Sequence, residues 1–244
     1  MGSSVIKQAF NITVFREFVV RARIFYYVKI LRNLKTSNSD EAFPVTVKHN
    51  LKSLKSCNSR IDLLIKPLSV LENVKKNSKI LIIGPRNEND LFLLLSHGFG
   101  WNNLFGLDLI SYSPRVFIGD AHHMKYEDNY FDAVICGWTL SYSSTPNIMA
   151  NEMLRVVKNK GVIAIGVEYS TLTKDEYEKL TGYSIQDFNL LDKRINSVDQ
   201  ITGLFSPNVK EIYFNHDAPN KISHTGNGYA ANVSNVATIF SVSK

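Results

Sequence analysis

Three features of this 244-residue sequence predict a doubly wound α/β fold with a mostly parallel sheet. Ile80-Leu81-Ile82-Ile83 is a continuous apolar run ended by Gly84, the pattern of a strand buried on both faces. Strand-like and helix-like segments then alternate to the end of the chain, which requires parallel strands with helices on either side. The hydrophobic content of 44% is enough for one core and an appended lobe.

Taken in order, the first segment is amphipathic. Phe15, Phe18, Val19, Ala22, Phe25, Tyr26 and Ile30 fall at helical spacing, while Arg16, Arg21, Arg23, Lys29 and Arg32 break every apolar run. A stripe of this kind is expected to pack on its own domain. Peripheral membrane contact through residues 12–35 is the competing expectation, because basic amphipathic helices also lie on bilayers. No run approaches the ~20 apolar residues that cross a bilayer. No apolar stretch leads to a small-residue cleavage site, and Ile6 stands where N-myristoylation requires Ser or Thr. The expected location is cytoplasmic. Residues 36–50, with Thr-Ser-Asn-Ser-Asp and then Pro44, read as a loop. Ile61 to Val74 has helical periodicity, with Pro67 expected to kink or break it.

From Lys79 the alternation begins. Asp90 to His97 reads as a helix closed by Gly98. Strands are expected at Asn103 to Leu109, Val116 to Ile118 and Phe131 to Cys136. Pro146 to Lys158 is the next helix, with Thr145 as N-cap and proline at the first helical position. Val162 to Val167 is the fifth strand, and Val209 to Asn215 and Val236 to Val242 are the last two. Thr173…Glu176 and Ser197…Gln200 have the spacing of capping boxes. The division expected is an N-terminal helical extension or cap over 1–78 and an α/β domain over 79–244.

Residues 1–79 hold 15 Lys+Arg against 5 Asp+Glu, and the remainder 13 against 17, so a +10 head sits on a −4 body. Such a head suits phosphate, an anionic surface or plain solvation. The two cysteines, Cys57 and Cys136, are far apart, and the second lies in a strand, which favours a small buried hydrophobe over a disulfide or metal ligand.

Ligands of such sheets bind beyond the carboxyl ends of the strands. Asp108, in Gly106-Leu107-Asp108-Leu109, lies 24 positions after Gly84 near the end of the second strand, where an acidic side chain can accept from ribose hydroxyls. Gly119-Asp120-Ala121-His122-His123-Met124-Lys125-Tyr126-Glu127-Asp128-Asn129-Tyr130-Phe131-Asp132-Ala133-Val134 follows. Then comes Glu152-Met153-Leu154-Arg155-Val156-Val157-Lys158-Asn159-Lys160-Gly161. On these stretches the chain resembles the class I S-adenosylmethionine-dependent methyltransferases of the type 11-like group, over roughly residues 79–170. Lys125, Tyr126 and Tyr130 depart from the residues usual there.

The resemblance implies a Rossmann-like, seven-stranded sheet with an antiparallel last strand, and S-adenosylmethionine as cofactor. It implies that Asp120 accepts from the adenine amino group, a role suited to a carboxylate, that the backbone of Ala121 and His122 reaches the ring, and that Leu109 follows the ribose-binding Asp108. Gly137 and Trp138, with Tyr142, line the methionine part, where an aromatic face suits a sulfonium. The family's Gly-rich first loop is here Ile82-Ile83-Gly84-Pro85-Arg86-Asn87-Glu88-Asn89-Asp90. Gly84, Pro85, Arg86 and Glu88 are therefore expected to meet the cofactor, with Arg86 pairing bidentately with its carboxylate and Glu88 or Asp90 taking its ammonium. The loop lacks the full Gly-x-Gly-x-x-Gly of nicotinamide dehydrogenases. His122, His123 and Glu168 are the candidate bases, with His216 more remote. Neither the adjacent pair His122-His123 nor His216-Asp217…His224 has metal-ligand spacing. The expected activity is methyl transfer to a small molecule or glycan. The rivals are a non-catalytic binding protein on the same fold and an RNA- or membrane-directed modifier, although no RNA-binding motif is present.

Overall fold

The structure is a computed structural model that describes residues 7–37, 44–170, 195–217 and 233–244, together with positions 175 and 179. Seven strands form one sheet: β1 Ile80–Ile83, β2 Leu104–Asp108, β3 Val116–Ile118, β4 Phe131–Gly137, β5 Val157–Ser170, β6 Val209–His216 and β7 Val233–Val242. Their spatial order is β3-β2-β1-β4-β5-β7-β6. The first five run parallel, and β7 is antiparallel to both β5 and β6. The predicted strand set and the antiparallel last strand are what the structure has. β1 lies between β2 and β4 in the middle of the parallel part of the sheet, and all four of its residues are buried, as its unbroken apolar run required.

Helices that flank the sheet include α1 Thr13–Ile24, α2 Pro44–Lys52, α3 Asp62–Leu68, α4 Asn89–Ser96, α5 Pro146–Val156 and α6 Val198–Gly203. Period-2 alternation sorts the strand residues between two cores. Ile80, Ile82, Ala133 and Ile135 face α1, α3 and α4 through Val20, Ile24, Leu64, Ile65, Leu91 and Leu94. Leu81, Ile83, Val134 and Cys136 face α5 and α6 through Met149, Met153 and Ile201. The extension over 1–78 thus shares a core with the sheet. Cys136 is a buried hydrophobe whose thiol burial pushes up to about 12. Among the described residues no helix is long and apolar enough to cross a membrane.

Several local expectations are corrected. The loop over 36–50 gives way to α2 from position 44, because Pro44 opens the helix, a position where its missing N–H costs nothing. Pro67 sits in the last turn of α3, which stops one residue later, so the break expected at this proline is present and only the helical reading of Leu71 to Val74 is corrected. Thr145 makes no side-chain cap on α5; instead Ser143 Oγ accepts the Thr145 N–H at 3.1 Å. Helix α5 ends at Val156 and passes directly into β5. Ser197 does cap α6, its Oγ accepting the Gln200 N–H at 3.1 Å, and Asp217 Oδ2 accepts from Val198 N. The Thr173…Glu176 box and His224 lie outside the described residues.

The largest departure concerns the N-terminal stripe. α1 continues into a π-helical turn over Phe25–Ile30, and its inward residues are Arg16, Val20 and Ile24. Phe15, Phe18, Phe25, Tyr26 and Ile30 point outward. Arg16 is only 1% exposed because its donors are taken by Asn89 Oδ1 (2.8 Å), the Phe10 carbonyl (2.7 Å) and Ser59 Oγ (2.7 Å). A buried charge is tolerated when it is hydrogen-bonded in this way. The polar partners, rather than the aromatic stripe, set the helix's rotation.

Candidate functional site

The carboxyl ends of β1, β2 and β4 open into a cleft of about 880 Å³ counting its mouth, a size suited to a small molecule. Gly84 ends β1 with φ +73°, and a Cβ there would lie 2.0 Å from Thr139 Oγ1, which donates to the Ile83 carbonyl at 3.1 Å. Glycine is required by this crossing of two loops. The chain then turns through Arg86, also at positive φ (57°).

Asp108 ends β2 and is almost wholly buried. Its Oδ2 accepts the Arg86 N–H (2.8 Å), and its Oδ1 accepts the Ile110 N–H (3.2 Å) and Asn50 Nδ2 (3.0 Å). Burial raises its pKa, opposed by those same donors. Asp120 follows β3. Its Oδ1 accepts the His122 N–H at 2.9 Å and meets His122 Nδ1 at 2.6 Å, while His122 Nε2 meets Ser143 Oγ at 2.7 Å. Glu152 and Arg155 of α5 pin the segment between: Glu152 accepts the Met124 N–H, and Arg155 donates to the Met124 and Tyr126 carbonyls and to Asp128. The Glu-x-x-Arg pattern acts as a clamp on the strand-to-strand loop.

Of the residues singled out in the sequence, Gly84, Arg86, Asp108, Leu109, Asp120, Ala121, His122, Gly137 and Trp138 line this cleft together. Pro85 does not; its ring covers Gly106, 2.9 Å from where a Cβ would stand. Glu88 does not either. It is fully buried away from the cleft, bidentate with Arg23 (2.6 and 2.8 Å) and accepting from Ser113 Oγ at 2.6 Å. His123 is exposed outside the cleft. Glu168 is held by Arg60 at 2.5 Å, and Arg60 in turn stacks 4.1 Å from the Trp138 ring centroid. The aromatic face proposed for a sulfonium thus already carries a guanidinium. Asp90 lies outside the lining and accepts from Asn89 Nδ2 at 2.9 Å.

Burial pushes the Asp90 carboxyl up to about 6 from 3.8. The folded chain holds that proton more tightly than the unfolded chain. This contribution to stability is therefore complete below about pH 4 and lost as pH rises through about 6. Asp90→Asn is expected to raise stability near pH 8 by as much as ~3 kcal/mol and to change nothing near pH 4, read from melting curves across that range.

The sequence reading missed Thr46, His49 and Asn50 of α2, and Arg60, Ser143 and Met149. His49 has a lowered pKa, from burial and then from Arg86 and Lys52. The only sequence signal for α2 is Pro44, a residue that opens helices and punctuates loops alike.

The site can be tested for S-adenosylmethionine on one feature of its own. Arg86 Nε is buried in the cleft wall with no hydrogen-bond partner among the described residues, a cost of roughly 1–3 kcal/mol unless an acceptor arrives. A carboxylate is such an acceptor. Asp120 keeps Oδ2 for an exocyclic amine, and Asp108 has spare acceptor capacity beyond its three donors. The residues present fit the group.

Residues 101–165 match the family model described as a methyltransferase domain. A search of curated proteins by sequence returns no match. Among solved structures, the MccD protein is similar with a TM-score of 0.52 at 13% identity, over 75% of this chain and 96% of that one. A chain in the complex of the Haloferax volcanii Trm112 methyltransferase activator with its provisionally assigned methyltransferase gives 0.52 at 12%, over 85% and 100%. A provisionally assigned sarcosine dimethylglycine methyltransferase from Galdieria sulphuraria gives 0.51 at 14%, over 91% and 98%. At these identities the likeness is one of fold.

Proposed function

We propose that this chain, a class I methyltransferase whose methyl donor is S-adenosylmethionine, methylates a small molecule or a glycan held under the cap formed by residues 1–78. The observation that supports it best is the juxtaposition in one cleft of two acceptors, Asp108 and Asp120, with the partnerless donor Arg86 Nε. Asp108 would take the ribose hydroxyls, Asp120 Oδ2 the adenine amine and Arg86 the carboxylate. S-adenosylmethionine, when bound, supplies an electrophilic methyl on a sulfonium.

The chain's own contribution is positioning. Holding a nucleophile in line at near-attack distance is worth roughly 7–11 kcal/mol of barrier. Thr46 and His49 on α2 and Arg60 beside Trp138 also line the cleft and would shape the room left for an acceptor. His122, braced between Asp120 and Ser143, and Glu168, braced by Arg60, are oriented by these partners, so both act first as positioning residues. Peripheral contact of residues 12–35 with a membrane and a cytoplasmic location are proposed beside it and stand apart from the methyl-transfer assignment.

The test is a thermal shift and calorimetric titration of the purified chain with S-adenosylmethionine and with its demethylated product. Both are expected to raise the melting temperature. Arg86→Ala is expected to weaken both about tenfold or more, the loss of one charge-assisted pair. No shift with either compound defeats the assignment, and methyl label recovered on an acceptor rejects a purely binding role.

A further inference from the structure

Eight of the fourteen large apolar residues that stand exposed among the described residues fall within positions 12–31: Ile12, Val14, Phe15, Phe18, Phe25, Tyr26, Ile30 and Leu31. α1 and its π-helical continuation turn one face inward through Arg16, Val20 and Ile24, and these eight residues stay exposed among the described residues. Phe18 is 69% exposed and Phe25 60%. An apolar patch of this kind on an otherwise soluble surface marks an interaction site. Its rim is basic: Arg21, Lys29, Arg32 and Lys35 are all exposed. The one acidic residue between positions 12 and 35 is Glu17, which already pairs with Arg21 at 3.7 Å.

We propose that this face of residues 12–35 seats the protein on an anionic lipid surface, with Phe18, Phe25, Tyr26 and Ile30 entering the headgroup–acyl boundary and the four cations meeting lipid phosphates. This deepens the membrane contact named above by fixing the inserted residues and the lipid charge. It does not depend on the methyl-transfer reading. Charge selects the occupant. In a symmetric pairing the same patch meets itself, so a surface carrying Arg21, Lys29, Arg32 and Lys35 meets one of like sign, and among the described residues of this face only Glu17, already paired with Arg21, opposes them. Setting like charge against like costs several kcal/mol. An anionic bilayer satisfies both halves of the face. It takes apolar side chains to a depth of ~5–10 Å, and it attracts each nearby Lys or Arg by ~1 kcal/mol. Aromatic side chains are the usual interface anchors. On the inner side, Arg23 to Glu88 and Arg16 to Asn89 fasten the helix to the first loop of the cleft, so a docked helix brings the cleft with it.

The experiment is co-sedimentation of the full chain with phosphatidylcholine vesicles and with vesicles that also contain phosphatidylglycerol, alongside light scattering of the protein alone. Binding is expected to the anionic vesicles only and to fall with added salt. Phe18→Ser with Phe25→Ser, and separately Arg21→Glu with Lys29→Glu, are expected to lower the partition coefficient at least about tenfold with the melting temperature unchanged. Equal binding to both vesicle types, or none, overturns the proposal. So does a concentration-dependent doubling of mass that the phenylalanine variant abolishes, since a second copy would then be the occupant. Cofactor-induced thermal shifts on the same preparations report separately on the methyl-transfer reading.

Discussion

Arg23→Ala is expected to lower the unfolding free energy by about 3–5 kcal/mol, the cost of leaving a buried charge without its partner. Glu88 has no exposed surface, and the Arg23 guanidinium grips both of its oxygens from a position still 30% exposed. After truncation only Ser113 Oγ and whatever water enters remain to hold the carboxylate. The double variant Arg23→Ala with Glu88→Gln is expected to recover most of the loss, because a neutral amide is far cheaper to bury than a carboxylate. Urea unfolding of the wild type and the two variants reads both numbers. A single variant as stable as wild type would mean that Glu88 is not the anchor of the N-terminal helix. A double variant no better than the single would shift the cost from the orphaned charge to lost packing.

That ion pair also shows where sequence reading stops. The strands were legible because burial on both faces leaves an unbroken apolar run, as in Ile80–Ile83, and burial on alternating faces leaves period 2. Asp108 was legible because a strand end puts it at the carboxyl edge of the sheet, and Asp120 because the stretch around it resembles the methyltransferase segment. Glu88 stands four residues after Gly84 and looked equally well placed. Its direction is decided by an arginine 65 positions earlier, and nothing local to the loop carries that information.

The rotation of α1 has the same origin. Its aromatic stripe has the stronger apolar periodicity, yet Arg16 turns inward because Asn89, Ser59 and the Phe10 carbonyl await it. Periodicity reports that a helix has two faces, and it cannot say which one a distant set of acceptors will claim. Asn50, Arg60 and Ser143 entered the cleft unannounced for a related reason, since single polar residues on short helices and loops carry no pattern.

Asp108→Asn is expected to weaken S-adenosylmethionine about 100-fold or more while also loosening the site. Both carboxylate oxygens already accept from the protein, Oδ2 from the Arg86 N–H and Oδ1 from the Ile110 N–H and Asn50 Nδ2. An amide must therefore turn its NH₂ toward a backbone donor in either orientation. One orphaned donor costs roughly 1–3 kcal/mol, and losing a charged acceptor for the ribose adds a comparable sum. Asn50→Ala separates the two effects. It removes a side chain that covers the Asp108 carboxylate but touches neither backbone donor, so cofactor affinity is expected to hold or improve. Titration calorimetry on the two variants, with melting curves beside it, gives the answer. Equal affinity for wild type and Asp108→Asn would remove the ribose from this strand end. A loss of affinity in Asn50→Ala as deep as in Asp108→Asn would make the amide, rather than the carboxylate, the group that holds the ligand.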